Sequence, residues 1–562
     1  MRSPLPIRPA ALACHVIATL LAFPHELPGL GAFDFGLVFA WLGPAALVVA
    51  LDGLSARAAA RSAFLASLFA HVLLFHWFIV VTVTYGGMPF GLGVLAPLLP
   101  GYWVAQFGAL FAVLWVRIAP LPGAAIGGAC AWVAVDWLRG VFLGGFPWAT
   151  LGYALHRDDA LLAFTRAGGV YALSFLAAGF GIALGRSVLA HRRGESVSRR
   201  LVALAGLFGL VHAVGFSLAP ADPGDGERVR IAAIQGNIDQ REKWSVERRE
   251  RILETYLRLS DAAAADGAEW IVWPETALPG SLEWDAELRL RVGELARRHH
   301  AVLVVGGRGI EFADGQDSPR AYYDSAFLVD PEGRIHDRYD KTQLVPFGEF
   351  VPLRGLLGRF FQSLARGLSP DDVTAGAAPR ALEVPGAASA AQASGGGETI
   401  RVGVPICYEL IFPDLVRRFA ADRAGVLLAV TNDAWYGRTG APHQFLAMTA
   451  IRSAETGLFT VRAANTGISA VIDGRGRVRE RSALFQEAVV VADVPVHRDE
   501  GEHEDARTFY ARYGDVFAGS CILLALAALL VGRRGPASGT GPIGSSIEED
   551  IEHGIEEGRG RA

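Results

Sequence analysis

Three short segments each set a reactive side chain just beyond a strand-like apolar run: Trp270-Ile-Val-Trp-Pro-Glu275, Tyr339-Asp-Lys341 and Val404-Pro-Ile-Cys407-Tyr-Glu409. Strand ends are where layered α/β folds assemble their sites, because loops converge there on a rigid sheet. A carboxylate, an ammonium and a thiol are together what acyl transfer through a thioester requires. The thiol attacks as thiolate, the carboxylate takes its proton, and the cation stabilises the oxyanion of the tetrahedral intermediate. Singly each signal is weak, since Pro-Glu is often a turn, a lysine is usually solvated and a strand-end cysteine usually fills core.

Composition sharpens two of the three. Of 52 basic residues only Lys243 and Lys341 are lysines, which leaves 50 arginines. Codon bias accounts for the arginine excess, yet an ammonium is a compact, tunable charge that guanidinium cannot imitate, so Lys341 is expected to be functional. Lys243 receives no catalytic role, and Lys243→Arg is expected to be mild. Among the four cysteines, Cys14, Cys130 and Cys521 lie in apolar stretches where a thiol is a small buried side chain. Cys407 stands alone in the polar half. No Cys/His cluster has zinc-ligand spacing, so neither metal nor cofactor is expected. A net charge of −5 without a basic tract gives nucleic acid no footing.

The elements that must position these groups belong to two kinds of structure. A mean hydropathy of +0.31 with 19% charged residues over 562 positions is too apolar for a soluble protein and too charged for spans alone. Apolar runs of about 20 residues, enough to cross a bilayer, lie near 9–27, 32–52, 60–84, 89–116, 121–140, 160–185 and 201–219, and another covers 516–531. Basic loops face the cytoplasm. The strongest, with Arg186, Arg192, Arg193, Arg199 and Arg200, therefore sends the next span outward. Residues 1–220 are expected to be a multi-span α-helical membrane domain of about seven helices, 228–505 an extracytoplasmic catalytic domain, 514–532 a last span, and 536–562 a disordered cytoplasmic tail.

Within 228–505, strand-like runs at 229–238, 270–273, 301–306, 326–329, 400–406 and 426–430 alternate with helical spacing at 247–264 and 287–299. This is the pattern of an α/β layered fold. Residues 353–368, apolar with interspersed arginines, suit a lid on the membrane surface, and the Ala/Gly/Ser-rich stretch 385–397 reads as a flexible insert.

The order of the three motifs resembles the nitrilase superfamily, which implies a Glu-Lys-Cys triad on an αββα sandwich. A closer resemblance covers nearly the whole chain. Gln235-Gly-Asn-Ile238, Lys243-Trp244, Trp273-Pro-Glu-Thr276, the run from Tyr339 to Glu349, Ile406-Cys-Tyr-Glu409, Thr431-Asn-Asp-Ala-Trp-Tyr-Gly437, Asp136-Trp-Leu-Arg139, Phe146-Pro-Trp148 and Thr508-Phe-Tyr-Ala-Arg512 are similar to the apolipoprotein N-acyltransferases. That resemblance implies a bacterial inner-membrane enzyme, monomeric, with its catalytic domain on the periplasmic side. Its acyl donor would be a phospholipid and its acceptor the amine of a diacylated lipoprotein. Glu275 would be the general base, Lys341 the oxyanion stabiliser and Cys407 the nucleophile. Glu349 would orient the lysine, Tyr408 and Glu409 would support the thiol, and Trp244, Trp435 and Tyr436 would bind substrate. Tyr436 departs from the phenylalanine common in that family, and the 385–397 insert is unusual. The competing reading is a membrane-anchored amidase or nitrilase acting on a small amide, for which a single anchor would suffice. Asp136 and Arg139, near a span end, are expected to pair.

Overall fold

The computed structural model of the chain describes residues 7–27, 29–219, 228–243, 245–313, 318–351, 372–384, 400–497 and 507–533. The expected lid, the insert, the C-terminal tail and Trp244 lie outside them.

Every one of the eight apolar runs contains a helix. Among the described residues, five helices are long and apolar enough to cross a membrane: Ala56–Leu74, Phe90–Ile118, Ala124–Gly144, Thr165–Arg192 and Ser198–Leu218. Ile7–Leu21, Gly36–Leu51 and Val516–Gly532 are apolar but shorter. The first run stops early, because His25–Leu27 (β1) pairs antiparallel with Gly31–Phe33 (β2). The third loses α-helical geometry after Leu74 and ends in a π-helical turn, Val80–Tyr85. Its Val-Val-Thr-Val-Thr sequence explains this: β-branched side chains crowd a helix, and the Thr82 hydroxyl donates back to the Phe78 carbonyl at 2.8 Å. Ser198–Leu218 has only Gly215 buried, and an apolar helix bare on nearly all sides suits lipid rather than water. Asp136 and Arg139 pair at 3.2 Å, as expected, and Arg139 also donates to the carbonyls of Phe146 and Trp148 at 3.1 and 2.5 Å.

The C-terminal half contains two six-stranded sheets. Arg228–Gln235 (β3), Trp270–Val272 (β4), Val302–Phe312 (β5), Pro319–Val329 (β6) and Ile335–Asp340 (β7) form one with Ala488–Pro495 (β14), in the order β14-β3-β4-β5-β6-β7. Leu382–Val384 (β8), Ile400–Gly403 (β9), Val426–Thr431 (β10), Thr460–Ala464 (β11), Ala470–Ile472 (β12) and Val478–Arg481 (β13) form the other, in the order β13-β12-β11-β10-β9-β8. Both have parallel pairs at the centre and antiparallel strands outside. Period-two alternation sorts the side chains of the first sheet: Ile231, Ala233, Val272 and Val304 face the second sheet's core. Their neighbours Ala232, Ile234, Ile271 and Leu303 pack on Leu253, Tyr256, Val292 and Leu295 of the helices Arg249–Ala265 and Ala286–His299. The result is the expected αββα sandwich.

Apart from β14, the strands beyond the expected runs are polar or short. β7 reads Ile-His-Asp-Arg-Tyr-Asp and β13 is wholly exposed, so neither shows an apolar signature. β14, with three consecutive valines, was legible by the same criterion that found β10.

The helix Ala441–Thr456 joins the halves, and all of it but His443 is buried. Trp148 Nε1 donates to Gln444 Oε1 at 2.8 Å, and Gln444 Nε2 donates to the Pro24 carbonyl at 2.9 Å. The Val170 amide donates to Glu455 Oε1 at 2.6 Å, and Arg452 Nη2 donates to the Tyr153 hydroxyl at 3.2 Å.

Candidate active site

The three motifs converge. Glu275 follows β4, Lys341 is the residue after β7, and Cys407 opens a short 3-10 helix, Cys407–Ile411, beyond β9. A single bridge, Ile406 to Val430, carries the β9–β10 pairing up to the residue before the thiol. Cys407 has φ +47° and Thr276, next to Glu275, has φ +45°, left-handed conformations that cost energy outside glycine and recur at sites where a side chain must be aimed.

Lys341 is the hub. Fully buried, it donates from Nζ to Glu275 Oε1 at 2.9 Å and to Glu349 Oε1 at 2.5 Å. Burial disfavours its charge, but the facing carboxylates of Glu275 and Glu349 outweigh that and hold the ammonium well above its ordinary range. The Val345 amide donates to Glu349 Oε2 at 2.9 Å, so Glu349 orients the lysine from a fixed position. Asp324 on β6, absent from the expected set, is a third carboxylate here: one of its oxygens, one of Glu275 and one of Glu349 lie within 4.8 Å of one another. Burial pushes Glu349 up to about 8 and also raises Asp324, in each case against the pull of Lys341.

Cys407 is buried beside this cluster. Burial, then the Glu275 carboxylate, hold its thiol well above the usual range, while Lys341 and a hydrogen bond from the Asn432 backbone oppose them. The resting group is therefore a thiol that needs a base at the moment of attack.

Glu409 ties two loops together. Its Oε1 accepts from the Tyr339 hydroxyl at 2.8 Å, the Thr342 amide at 2.7 Å and the Thr342 hydroxyl at 2.8 Å, and its Oε2 accepts from the Ile406 amide at 2.7 Å. It thus staples the lysine's loop to the backbone preceding the cysteine. Tyr408 is buried with its ring 5.2 Å from that of Phe412, and its hydroxyl is held above its usual range by burial and then by Glu349.

Tyr436 and Trp435 face the helical half. The Tyr436 ring lies 5.0 Å from Trp77 and 5.8 Å from Trp148, and Trp435 lies 5.6 Å from Tyr85 on the π-helical turn. Burial and then Cys407 hold the Tyr436 hydroxyl well above its usual range, and Trp77, Trp148 and Cys407 share one buried core against which Tyr436 packs.

Lys243 is the main correction to the sequence expectations. It is 2% exposed and donates from Nζ to the Glu275 carbonyl at 3.0 Å and to Thr276 Oγ1 at 2.5 Å. Both lysines of the chain are therefore in one site. The composition argument that singled out Lys341 applied equally to Lys243, and a mild Lys243→Arg is no longer expected.

Comparison with known proteins agrees over both halves. Residues 230–499 match the carbon-nitrogen hydrolase family, and residues 17–183 match the apolipoprotein N-acyltransferase N-terminal domain. An amidase from Nesterenkonia sp. superposes with a TM-score of 0.34 at 22% identity, covering 48% of this chain and 91% of its own. The apolipoprotein N-acyltransferase of Bradyrhizobium diazoefficiens is 33% identical over 76% of each chain. That of Geobacter metallireducens is 37% identical over 524 residues, 92% of this chain and 94% of the relative. With identity at that level running through helices and sandwich alike, the chain belongs to the apolipoprotein N-acyltransferase family.

Proposed function

We propose that this membrane acyltransferase takes a fatty acyl chain from a phospholipid as a Cys407 thioester and passes it to the N-terminal amine of the diacylglyceryl-cysteine of apolipoproteins. The observation that carries the reading is the buried meeting of Cys407, Glu275 and Lys341 at the end of an aromatic path from the helical half. Glu275 takes the Sγ proton, and the thiolate attacks the ester carbonyl carbon. Lys341 faces the oxyanion, held by Glu349 so that no reorganisation is needed when charge develops. Collapse expels the lysophospholipid alkoxide, which recovers the proton from Glu275. In the second half the acceptor amine attacks the thioester carbonyl, Glu275 takes the amine proton, and the departing sulfur receives it.

The amidase alternative is not favoured, because the relatives align through the helical half as well as the sandwich. A donor and an acceptor that both reside in lipid give that half a purpose. All eight apolar helices are proposed to span the bacterial inner membrane, with 228–505 on the periplasmic side and the tail after Arg534 in the cytoplasm. The basic loop between Thr165–Arg192 and Ser198–Leu218 supports this orientation.

Incubation of the purified protein with a phospholipid carrying a labelled acyl chain should leave label on the protein, release lysophospholipid, and lose the label to hydroxylamine as a thioester does. Absence of protein-bound label under conditions that consume donor would refute the covalent route. Separately, a membrane-impermeant thiol probe directed at a cysteine placed at exposed Arg320 should react from the periplasm of intact cells. Labelling only after the membrane is opened would overturn the topology.

A further inference from the structure

An ammonium is costly to bury, and among the described residues Lys243 has no direct carboxylate partner of the kind that secures Lys341. Its two bonds go to the Glu275 carbonyl and the Thr276 hydroxyl, which are the two ends of the left-handed turn that aims the Glu275 carboxylate at Lys341. The loop that carries Lys243 also reaches a residue that bonds the sulfur. Gln240 accepts from Asn432 Nδ2 at 2.7 Å, and the Asn432 backbone hydrogen-bonds Cys407. Asn465 fixes the base of the loop, its carbonyl accepting from the Asn237 amide and its Oδ1 from the Ile238 amide, both at 2.9 Å. One short loop thus touches the backbone of the base and a hydrogen-bond donor of the nucleophile.

We propose that Lys243 is a positioning residue for acyl transfer: it pins the strained Glu275–Thr276 turn and places a second positive charge facing Glu275 and Cys407. The proposal rests on the roles given above to Glu275 and Cys407. The ionisable groups that face Lys243 are Glu275, Asp324 and Cys407. Burial lowers the ammonium to about 8 against the pull of those three groups. Lys341, with two direct ion pairs, moves the opposite way. Below about 8 the second charge is present, and it is lost as pH rises through that value, so acyl-enzyme formation should decline on the alkaline side from this group.

The test uses the full-length protein in detergent and two readouts. Alkylation of Cys407 by iodoacetamide, followed on the Cys407 peptide by mass spectrometry across pH, reports the thiol without any lipid. Acyl-enzyme formation from labelled phospholipid reports the chemistry. In Lys243→Met the alkylation midpoint should rise by about one pH unit as a nearby cation is removed. The rate of acyl-enzyme formation should fall on the order of 10²-fold, as for loss of a supporting partner, with the KM for phospholipid little changed. Lys243→Arg keeps the charge but not the shape, so its midpoint should stay near wild type while its rate remains low. An unchanged midpoint and rate in folded Lys243→Met would overturn the proposal, as would a loss confined to KM. Failure of both variants to fold would mark Lys243 as purely structural and overturn it equally. A wild type that forms no acyl-enzyme, while Lys243→Met still shifts the midpoint, would remove the acyl-transfer reading and leave the Lys243 effect standing.

Discussion

Cys407→Ala is expected to form no acyl-enzyme at all while remaining folded in the membrane. The change removes one sulfur from a position whose neighbours are fixed by other bonds: the Ile406 amide is held by Glu409, and the Ile406–Val430 bridge is backbone. Loss of a small buried side chain there should cost no more than about 1 kcal/mol of stability, at the low end of core truncations. Cys407→Ser is expected to be nearly as inactive, because burial and Glu275 already hold the thiol well above its usual range and a hydroxyl is less acidic still. Labelled acyl accumulating on the alanine variant at any rate near wild type would refute the nucleophile.

The second large effect is expected at Lys341. Lys341→Arg should lose on the order of 10²- to 10³-fold in acyl-enzyme formation, the usual result of losing one oxyanion-stabilising donor. The chain uses arginine for every other basic position except Lys243. Here, though, the cation has no solvent exposure and sits between Glu275 Oε1 and Glu349 Oε1 at 2.9 and 2.5 Å. A planar guanidinium cannot place one compact charge there without displacing a carboxylate or the sulfur. Lys341→Met should also unfold more readily, by about 3–5 kcal/mol, because it leaves buried carboxylates without their partner. An exposed position provides the control: Arg334 lies on a turn with its side chain largely in solvent, so Arg334→Lys should change neither quantity. Equal activity of Lys341→Arg and Arg334→Lys would reduce Lys341 to an ordinary charge.

The site was legible in the sequence where a residue type was rare for its context. Cys407 was the only thiol of the polar half, and the order of the three motifs placed it with Glu275 and Lys341. Asp324 was not legible, because the chain is rich in acids and β6 shows no sign, before folding, that this one faces the cluster. Lys243 is as rare as Lys341, but it lies in a turn outside the three strand-end motifs, and nothing near it in sequence marks the site it joins. The role of Glu409 could not be read from adjacency to Cys407, because the partners of its Oε1 come from 66 to 70 residues earlier in the chain. For the fold, apolar runs located β3 to β6, β9 and β10. Strands such as β7 escaped because their polar side chains form ion pairs, as Arg338 does with Glu283 and Asp340 at 2.7 and 2.9 Å.

The helix Ala441–Thr456 is wrapped on one side by β11 and on the other by Thr165–Arg192, the Leu151–Leu155 turn and the β1–β2 hairpin. Arg452 and Glu455 sit in that wrapping with essentially no exposure. A chain cut near residue 220 would hand this helix to water with an ion pair designed for dryness and an apolar flank that nothing else covers. The sandwich is thus not a passenger that happens to be leashed to a bilayer. Cut away from the helices, the sandwich is expected to aggregate in water through this uncovered face.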